Sequence, residues 1–289
     1  MGAVAALLPD GRLHLQHGPI DLLIMAEARA EGPSHSAYRA ARDRFRTMLD
    51  EIVSELPLLR KPLGMIPRGD IARRMHGACT AVAQGDFVTP MAAVAGAVAD
   101  GVLSAMIAAT PLARAYVNNG GDIALHLAPG ADYRVAIAGL DGHMTGQVML
   151  RAGDGIGGIA TSGQGGRSLS LGIATSVTVL ACNAATADAA ATLIANAVDL
   201  PGHPAITRRP AHDIFPDSDL GARRVVTHVA PLSAAHIARA LMQGAARAQA
   251  LIDTGAIAAA ALVLQGQGVT VGDFTDRATA RTERTIEHA

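Results

Sequence analysis

The chain contains no tryptophan, and aromatic residues account for 2% of its 289 positions. A core built on stacked rings is therefore excluded. The interior has to be filled by Ala, Val, Leu, Ile and Met packed closely through small side chains. Any bound ring would be recognised by backbone and aliphatic groups. Cysteine is nearly as scarce: Cys79 and Cys182 are the two present, at no metal-ligand spacing. Both are expected to be small buried hydrophobes in a reducing compartment. Net charge is −1 and no long basic run occurs, which argues against nucleic acid as a partner. The apolar start, residues 1–8, is short and lacks both a basic leader and a lipobox-type cysteine, so no signal peptide is expected and the location reads as cytoplasmic. The apolar stretch 91–109 is rich in Ala and Gly and is broken by Asp100, so it reads as a buried helix and not as a membrane span. Neither a membrane nor nucleic acid is expected as a partner.

Apolar residues, by contrast, are plentiful at 50%, against 17% charged, and there are 31 glycines. That is enough for a large core in one α+β domain spanning 1–272, or in two closely packed halves, followed by a polar tail, 273–289. Alternation over 13–17 and 20–26 around Gly18-Pro19 predicts a hairpin. A helical face then runs through Tyr38, Ala41, Phe45, Met48 and Ile52, with Ser34 or Ser36 as its cap and Pro57 as its stop. Helices follow over 70–82 and 91–109. Short strands over 113–117, 122–127, 133–138 and 144–150 form a meander. Strand 176–182 leads into helix 184–198, and strand 225–229 into helix 233–252; a hairpin over 256–264 and 269–271 closes the pattern. Residues 200–223 read as a long irregular loop. Strict βαβ alternation is missing, so the class is α+β with mixed, largely antiparallel sheets.

Three motifs carry the chemistry. Asn118-Asn119-Gly120-Gly121-Asp122 ends a strand; its glycines let a ligand approach the backbone, and they equally suit a type I′ hairpin turn. Thr161-Ser162-Gly163-Gln164-Gly165-Gly166-Arg167-Ser168 brings hydroxyls, backbone donors and a guanidinium to one loop, a set suited to phosphate or diphosphate. Asp188 and Thr192 lie four apart on one helical face, where a carboxylate and a hydroxyl suit a hard cation such as Mg²⁺. Those two residues also fit a plain helix-terminal role. Gly153-Asp154-Gly155-Ile156-Gly157-Gly158 matches a dinucleotide fingerprint, but no helix opens after it, so it reads as a chance match. The histidines show no ligand spacing, and His212-Asp213 reads as a surface pair.

Taken in order, these motifs resemble the ApbE-like superfamily of Mg²⁺-dependent FAD:protein FMN transferases, and most closely its short, cytoplasmic branch. The likeness runs through Thr89-Pro90-Met91-Ala92-Ala93-Val94-Ala95-Gly96-Ala97, Asn119-Gly120-Gly121-Asp122, Thr161-Ser162, Ser168-Leu169-Ser170 and Ala187-Asp188-Ala189-Ala190-Ala191-Thr192. It implies an ApbE-like fold with a cleft for FAD or a related flavin nucleotide. It also implies Mg²⁺ on Asp188 and Thr192, Gly120-Gly121 next to the flavin, and Asp100 at the acidic end of the long apolar helix. Two departures stand out. Ala95-Gly96 replaces the Lys-Gly of the transferases, and the loop after Ser162-Gly163 lacks their His and Asp-Pro, leaving Arg167 as the basic residue for a phosphate.

Three functions remain open at this point: Mg²⁺-assisted flavin transfer or diphosphate cleavage, a flavin-binding module without turnover, and chemistry on another heterocycle such as a pterin. In each the partner is a small-molecule cofactor. Ala-rich helices and edge strands offer apolar surfaces that allow a homo-oligomer, without fixing the state.

Overall fold

The computed structural model describes residues 2–29, 35–138, 144–166 and 168–272. The polar tail 273–289, Ser34, Arg167 and the turn at Asp141-Gly142 fall outside the described residues.

The chain opens with three strands, β1 (Val4–Leu7), β2 (Leu13–His17) and β3 (Ile20–Ala28). Helices α1 (His35–Ser54), α2 (Leu56–Leu59) and α3 (Asp70–Ala83) follow, then a 3-10 turn at Pro90–Ala93 and α4 (Val94–Ala109). The middle holds β4 (Leu112–Asn119), β5 (Asp122–Leu127), β6 (Asp132–Ala138), β7 (Met144–Arg151), β8 (Gly158–Ser162), β9 (Ser176–Ala181) and α5 (Ala184–Ala197). The last part contains β10 (Ile206–Pro210), β11 (Arg224–Val229), α6 (Ala234–Asp253), β12 (Ala259–Leu264) and β13 (Gln267–Gly272).

Nine strands form one sheet in the order β1-β2-β3-β4-β5-β8-β9-β12-β13, and every pairing within it is antiparallel. This is the expected α+β architecture. The period of two along the strands sorts side chains between the faces. Ala124, Ala160, Val179 and Ala260 join the helices in one core, while Leu125, Ile159, Leu180 and Ala259 meet Val148 and Leu150 of β7 on the other face. The predicted apolar face of α1 is the buried one, at Tyr38, Ala41, Phe45, Met48 and Ile52.

Several expectations are corrected. The meander is interrupted: β6 and β7 pair only with each other, and β8 takes the place beside β5. Their apolar side chains are needed to cover the second face, so the ribbon leaves the sheet to lie on it. Residues 200–223 are not wholly irregular. They carry β10, which pairs with β11, because the run Ile206–Pro210 alternates half-buried and exposed positions. Pro57 does not end α1; it occupies the first turn of α2, where its missing N–H costs nothing. Ser36 lies inside the first turn of α1, not ahead of it. The 91–109 stretch begins with the 3-10 turn, and α4 is a core helix of the main cluster. Cys79 is buried as expected, but Cys182 is exposed, since β9 has ended and the chain is turning towards the helix cap at Asn183.

Candidate functional site

The helices α4 and α5 cross at their first turns. A Cβ on Gly96 would lie 2.2 Å from the Ala184 carbonyl oxygen, so only glycine permits this approach. The small residues along both helices make the crossing tight. Its consequence is that two helix N-termini, each with unpaired N–H groups and a positive dipole end, sit side by side in the core.

Two aspartates meet those donors. Asp100 Oδ1 accepts from the Ala184 N–H at 3.0 Å and Oδ2 from the Ala185 N–H at 2.9 Å. Asp188 Oδ2 accepts from the Gly96 N–H at 3.0 Å, and the Ala95 N–H also stabilises its charged form. Burial raises the pKa of Asp100, against the pull of its two backbone donors. Asp188 is raised well above the ordinary carboxylate value, first by burial and then by the neighbouring charge of Asp122.

The β4–β5 turn closes the next side. Asn119 pairs with Asp122, and Gly120 and Gly121 between them have φ of +65° and +115°, the two-residue turn with left-handed backbone at both centres. Asn118 Oδ1 accepts from the Gly121 N–H at 2.8 Å. Asn119 is buried and donates Nδ2–H to the Ala95 carbonyl at 3.1 Å, which ties the turn to the start of α4. A Cβ on Gly121 would meet nothing within 4 Å, so the turn leaves open space on that side. Asp122 Oδ1 accepts from the Thr161 N–H at 3.3 Å.

Helix α5 supplies a polar stripe. Its side chains are buried except at Asp188, Thr192, Asn196 and the terminal Ala197. The first three are spaced by four, on one face of an otherwise enclosed helix. Asn196 Oδ1 accepts from the Leu171 N–H at 3.0 Å and so anchors the segment after Ser168.

The loop from Thr161 is arranged differently from what its composition suggests. The Thr161 hydroxyl is paired with that of Thr178 at 2.9 Å, so only its backbone N–H reaches Asp122. Gly163 has φ +138° and packs against the Thr175 carbonyl. The N–H groups of Gln164, Gly165 and Gly166 donate to the carbonyls of Ala174, Thr175 and Gly163. Those backbone donors are spent within the fold. The loop offers a ligand the half-buried Ser162 and the exposed Ser168; Arg167 is outside the described residues. The 153–158 glycine run leads into strand β8, not a helix, and a Cβ on Gly158 would strike the Asn183 carbonyl carbon at 2.1 Å. It is a packing motif, not a dinucleotide fingerprint. His212 pairs with Asp213 at 3.3 Å on the surface.

The structure therefore gathers Asn119, Gly120, Gly121, Asp122, the Thr161 N–H and Asp188 around the α4 N-terminus, with Thr192 one turn along. Sequence reasoning missed three features. The Ala95 and Gly96 N–H groups lie on Asp188, Asp100 accepts two first-turn N–H groups of α5 beside its cap Asn183, and Asn196 continues the stripe. The i, i+4, i+8 spacing from Asp188 was the available signal for Asn196. No group of three His, Cys, Asp or Glu side chains able to hold a metal occurs among the described residues. The donors present, the Asp188 carboxylate and the Thr192 hydroxyl, are hard oxygens. They fit Mg²⁺, which commonly takes one or two carboxylates and completes its shell with water and substrate phosphate. The like charges of Asp188 and Asp122 also make the site electrostatically suited to a cation.

The segment entering α4 is clamped from outside. Asp219 accepts the Thr89 hydroxyl, the Arg223 guanidinium lies 3.3 Å from the centroid of Phe87, and Arg247 of α6 pairs with Asp86 at 2.9 Å. The chain between β10 and β11 thus docks just ahead of the helix end that holds Asp188.

Residues 5–270 match the sequence model of a family described as AbpE bacteria. A UPF0280 protein of Methanosphaerula palustris is 34% identical over 192 residues, covering 65% of this chain and 77% of that protein. Among solved structures, the apbe protein of Thermotoga maritima is similar with a TM-score of 0.51 at 11% identity, over 92% of this chain and 97% of that one. The flavinyl transferase ApbE of Pseudomonas stutzeri gives 0.49 at 14% identity, over 95% of each chain. At such identities the likeness is one of fold.

Proposed function

The chain belongs to the AbpE bacteria family, and from that membership we propose that it binds FAD or a related flavin nucleotide in a Mg²⁺-dependent manner. The observation that carries this reading is Asp188. It is a half-buried carboxylate whose pKa is raised well above the ordinary value, beside Asp122, at the head of a polar stripe on an otherwise buried helix. A cation beside Asp188 would offset its repulsion with Asp122 and favour its ionised form. Asp188 and Thr192 would hold the cation, which when bound would neutralise charge on a nucleotide diphosphate. Gly120 and Gly121 leave room for a ring edge, and the hydroxyls of Ser162 and Ser168 would be available to the phosphates. The chemistry best matched to these parts is transfer or cleavage at the flavin diphosphate, in the cytoplasm.

A second reading is supported by specific observations. Ala95-Gly96 brings no side-chain amine to the site, and the backbone donors of 164–166 are already bonded. Both features favour a cleft that holds a flavin without turning it over.

Calorimetry of FAD binding with and without Mg²⁺, followed by product analysis, separates the readings. Mg²⁺-sensitive binding with release of AMP or FMN, abolished in Asp188→Ala, supports the enzyme. Binding without product supports the module. Absence of FAD binding under both conditions overturns the flavin assignment and directs the search to other heterocycles such as a pterin.

A further inference from the structure

The turn between α2 and α3 lies outside the site described above and has no role in it. Met65 and Ile66 are 76% and 68% exposed there, the two most exposed of the large apolar side chains among the described residues. The exposure is built in. Leu63 packs against the main core and Pro67 is buried. The Glu55 carboxylate accepts from the backbone N–H groups of Arg68 and Gly69 at 2.7 and 2.6 Å. The turn is thus pinned on both sides, and its apex is held outward.

Cations surround that apex. Residues 60–74 contain five, Arg60, Lys61, Arg68, Arg73 and Arg74, against Asp70 and the Glu55 carboxylate that holds the turn, in a chain whose net charge is −1. Arg74 pairs with Asp70 at 3.3 Å, while Arg60, Lys61, Arg68 and Arg73 make no ion pair among the described residues. An exposed apolar apex flanked in sequence by cations without ion pairs among the described residues matches a surface with negative charge outside and hydrocarbon beneath. A fluid lipid surface accepts exposed apolar side chains without a matching pocket, whereas a folded acidic protein would need one.

We propose that the turn at Met65-Ile66, flanked by Arg60, Lys61, Arg68 and Arg73, docks this protein peripherally on an anionic phospholipid surface. Ionic attraction brings the turn to the headgroups, and Met65 and Ile66 enter the boundary between headgroups and acyl chains. The contact proposed is reversible and needs no membrane-spanning segment.

The test is co-sedimentation of the full chain with vesicles of mixed phosphatidylglycerol and phosphatidylcholine, and with vesicles of phosphatidylcholine alone. Binding is expected to the mixed vesicles, to fall steeply with added salt, and to be absent with phosphatidylcholine. Met65→Ser with Ile66→Ser, and separately Lys61→Gln with Arg68→Gln, should each weaken binding about tenfold or more. Their circular dichroism should be unchanged, because these side chains are exposed. Absence of binding to the mixed vesicles overturns the proposal, as does binding that both double variants leave intact. Vesicle binding that Met65→Ser/Ile66→Ser leaves unchanged while Lys61→Gln/Arg68→Gln abolishes it would also overturn it, by showing charge alone at work and an acidic polypeptide as the better partner.

Discussion

Asp100 and Asp188 each secure the helix that the other belongs to. Asp100 of α4 accepts the Ala184 and Ala185 N–H groups of α5, and Asp188 of α5 accepts the Gly96 N–H of α4. Each acid lies four residues beyond its own helix's contact point, Gly96 or Ala184. The two contacts are alike in geometry but differ in what else is close. Both accept backbone amides, but Asp188 also feels the charge of Asp122 and shares its helix face with Thr192 and Asn196. We read Asp100 as structural and Asp188 as the residue with capacity left for a ligand.

Asp100→Ala should therefore destabilise the fold and leave ligand specificity alone. Two buried N–H groups would lose their acceptor, a loss of about 2–4 kcal/mol. Urea unfolding followed by circular dichroism measures it. Asp100→Asn keeps one acceptor and should lie between. A midpoint unchanged in the alanine variant would show that the cap contributes nothing.

Asp188 predicts a pH dependence of a particular sign. Its folded pKa is raised, so the unfolded chain releases the proton first, near the ordinary value of about 3.9. Without a bound cation, stability is fully present below that value and is lost as pH rises towards the folded pKa. Asp188→Asn removes the loss while the amide oxygen still accepts from Gly96. It should melt higher than the wild type at neutral pH in chelator, with the gap closing below about pH 4. Added Mg²⁺ should raise the melting temperature of the wild type and not of the variant, with a stabilisation of about 2.7 kcal/mol at a hundredfold excess over Kd. Equal Mg²⁺ responses in the two proteins would remove Asp188 from the cation site.

Gly96 tests the crossing itself. In Gly96→Ala the new methyl would meet a backbone carbonyl at 2.2 Å, an atom that cannot rotate away. A loss of about 3 kcal/mol is expected, with weaker Mg²⁺ binding, because the helix ends must part. A stable variant that binds Mg²⁺ normally would mean that α4 slides past α5 at little cost.

The stripe on α5 separates two contributions to ligand binding. Thr192→Val should weaken Mg²⁺-dependent FAD binding about tenfold or more and leave Mg²⁺-independent binding unchanged. Asn196→Ala should weaken FAD binding whether or not Mg²⁺ is present, because Leu171 and the segment behind Ser168 lose their anchor. Calorimetry of both variants checks the split; identical profiles would count against a stripe with a cation end and a phosphate end.

Much of this was legible in the chain because it depends on neighbours in sequence. The face of α1, the strands 13–17 and 122–127, the helix after Cys182 and the α+β class follow from period and from turn residues. The Gly120-Gly121 turn also follows, since left-handed backbone at two successive positions favours glycine. Asp188 and Thr192 share a face by spacing alone. The Thr161–Ser168 loop was less transparent. Its composition suits a phosphate, but its N–H groups are bonded to residues 174 and 175, and composition does not say which donors are already engaged.

The sequence by itself thus determined the elements, their class and a set of polar residues suited to a nucleotide and a hard cation. Tertiary structure alone decided that β6 and β7 leave the sheet, that β8 replaces them beside β5, and that α4 and α5 cross at Gly96 and Ala184. Local propensity acts over a few residues, whereas these choices depend on burying apolar faces from distant parts of the chain. The crossing sets Asp188 on the N–H groups of a helix ninety-two residues earlier. No spacing rule reaches that far.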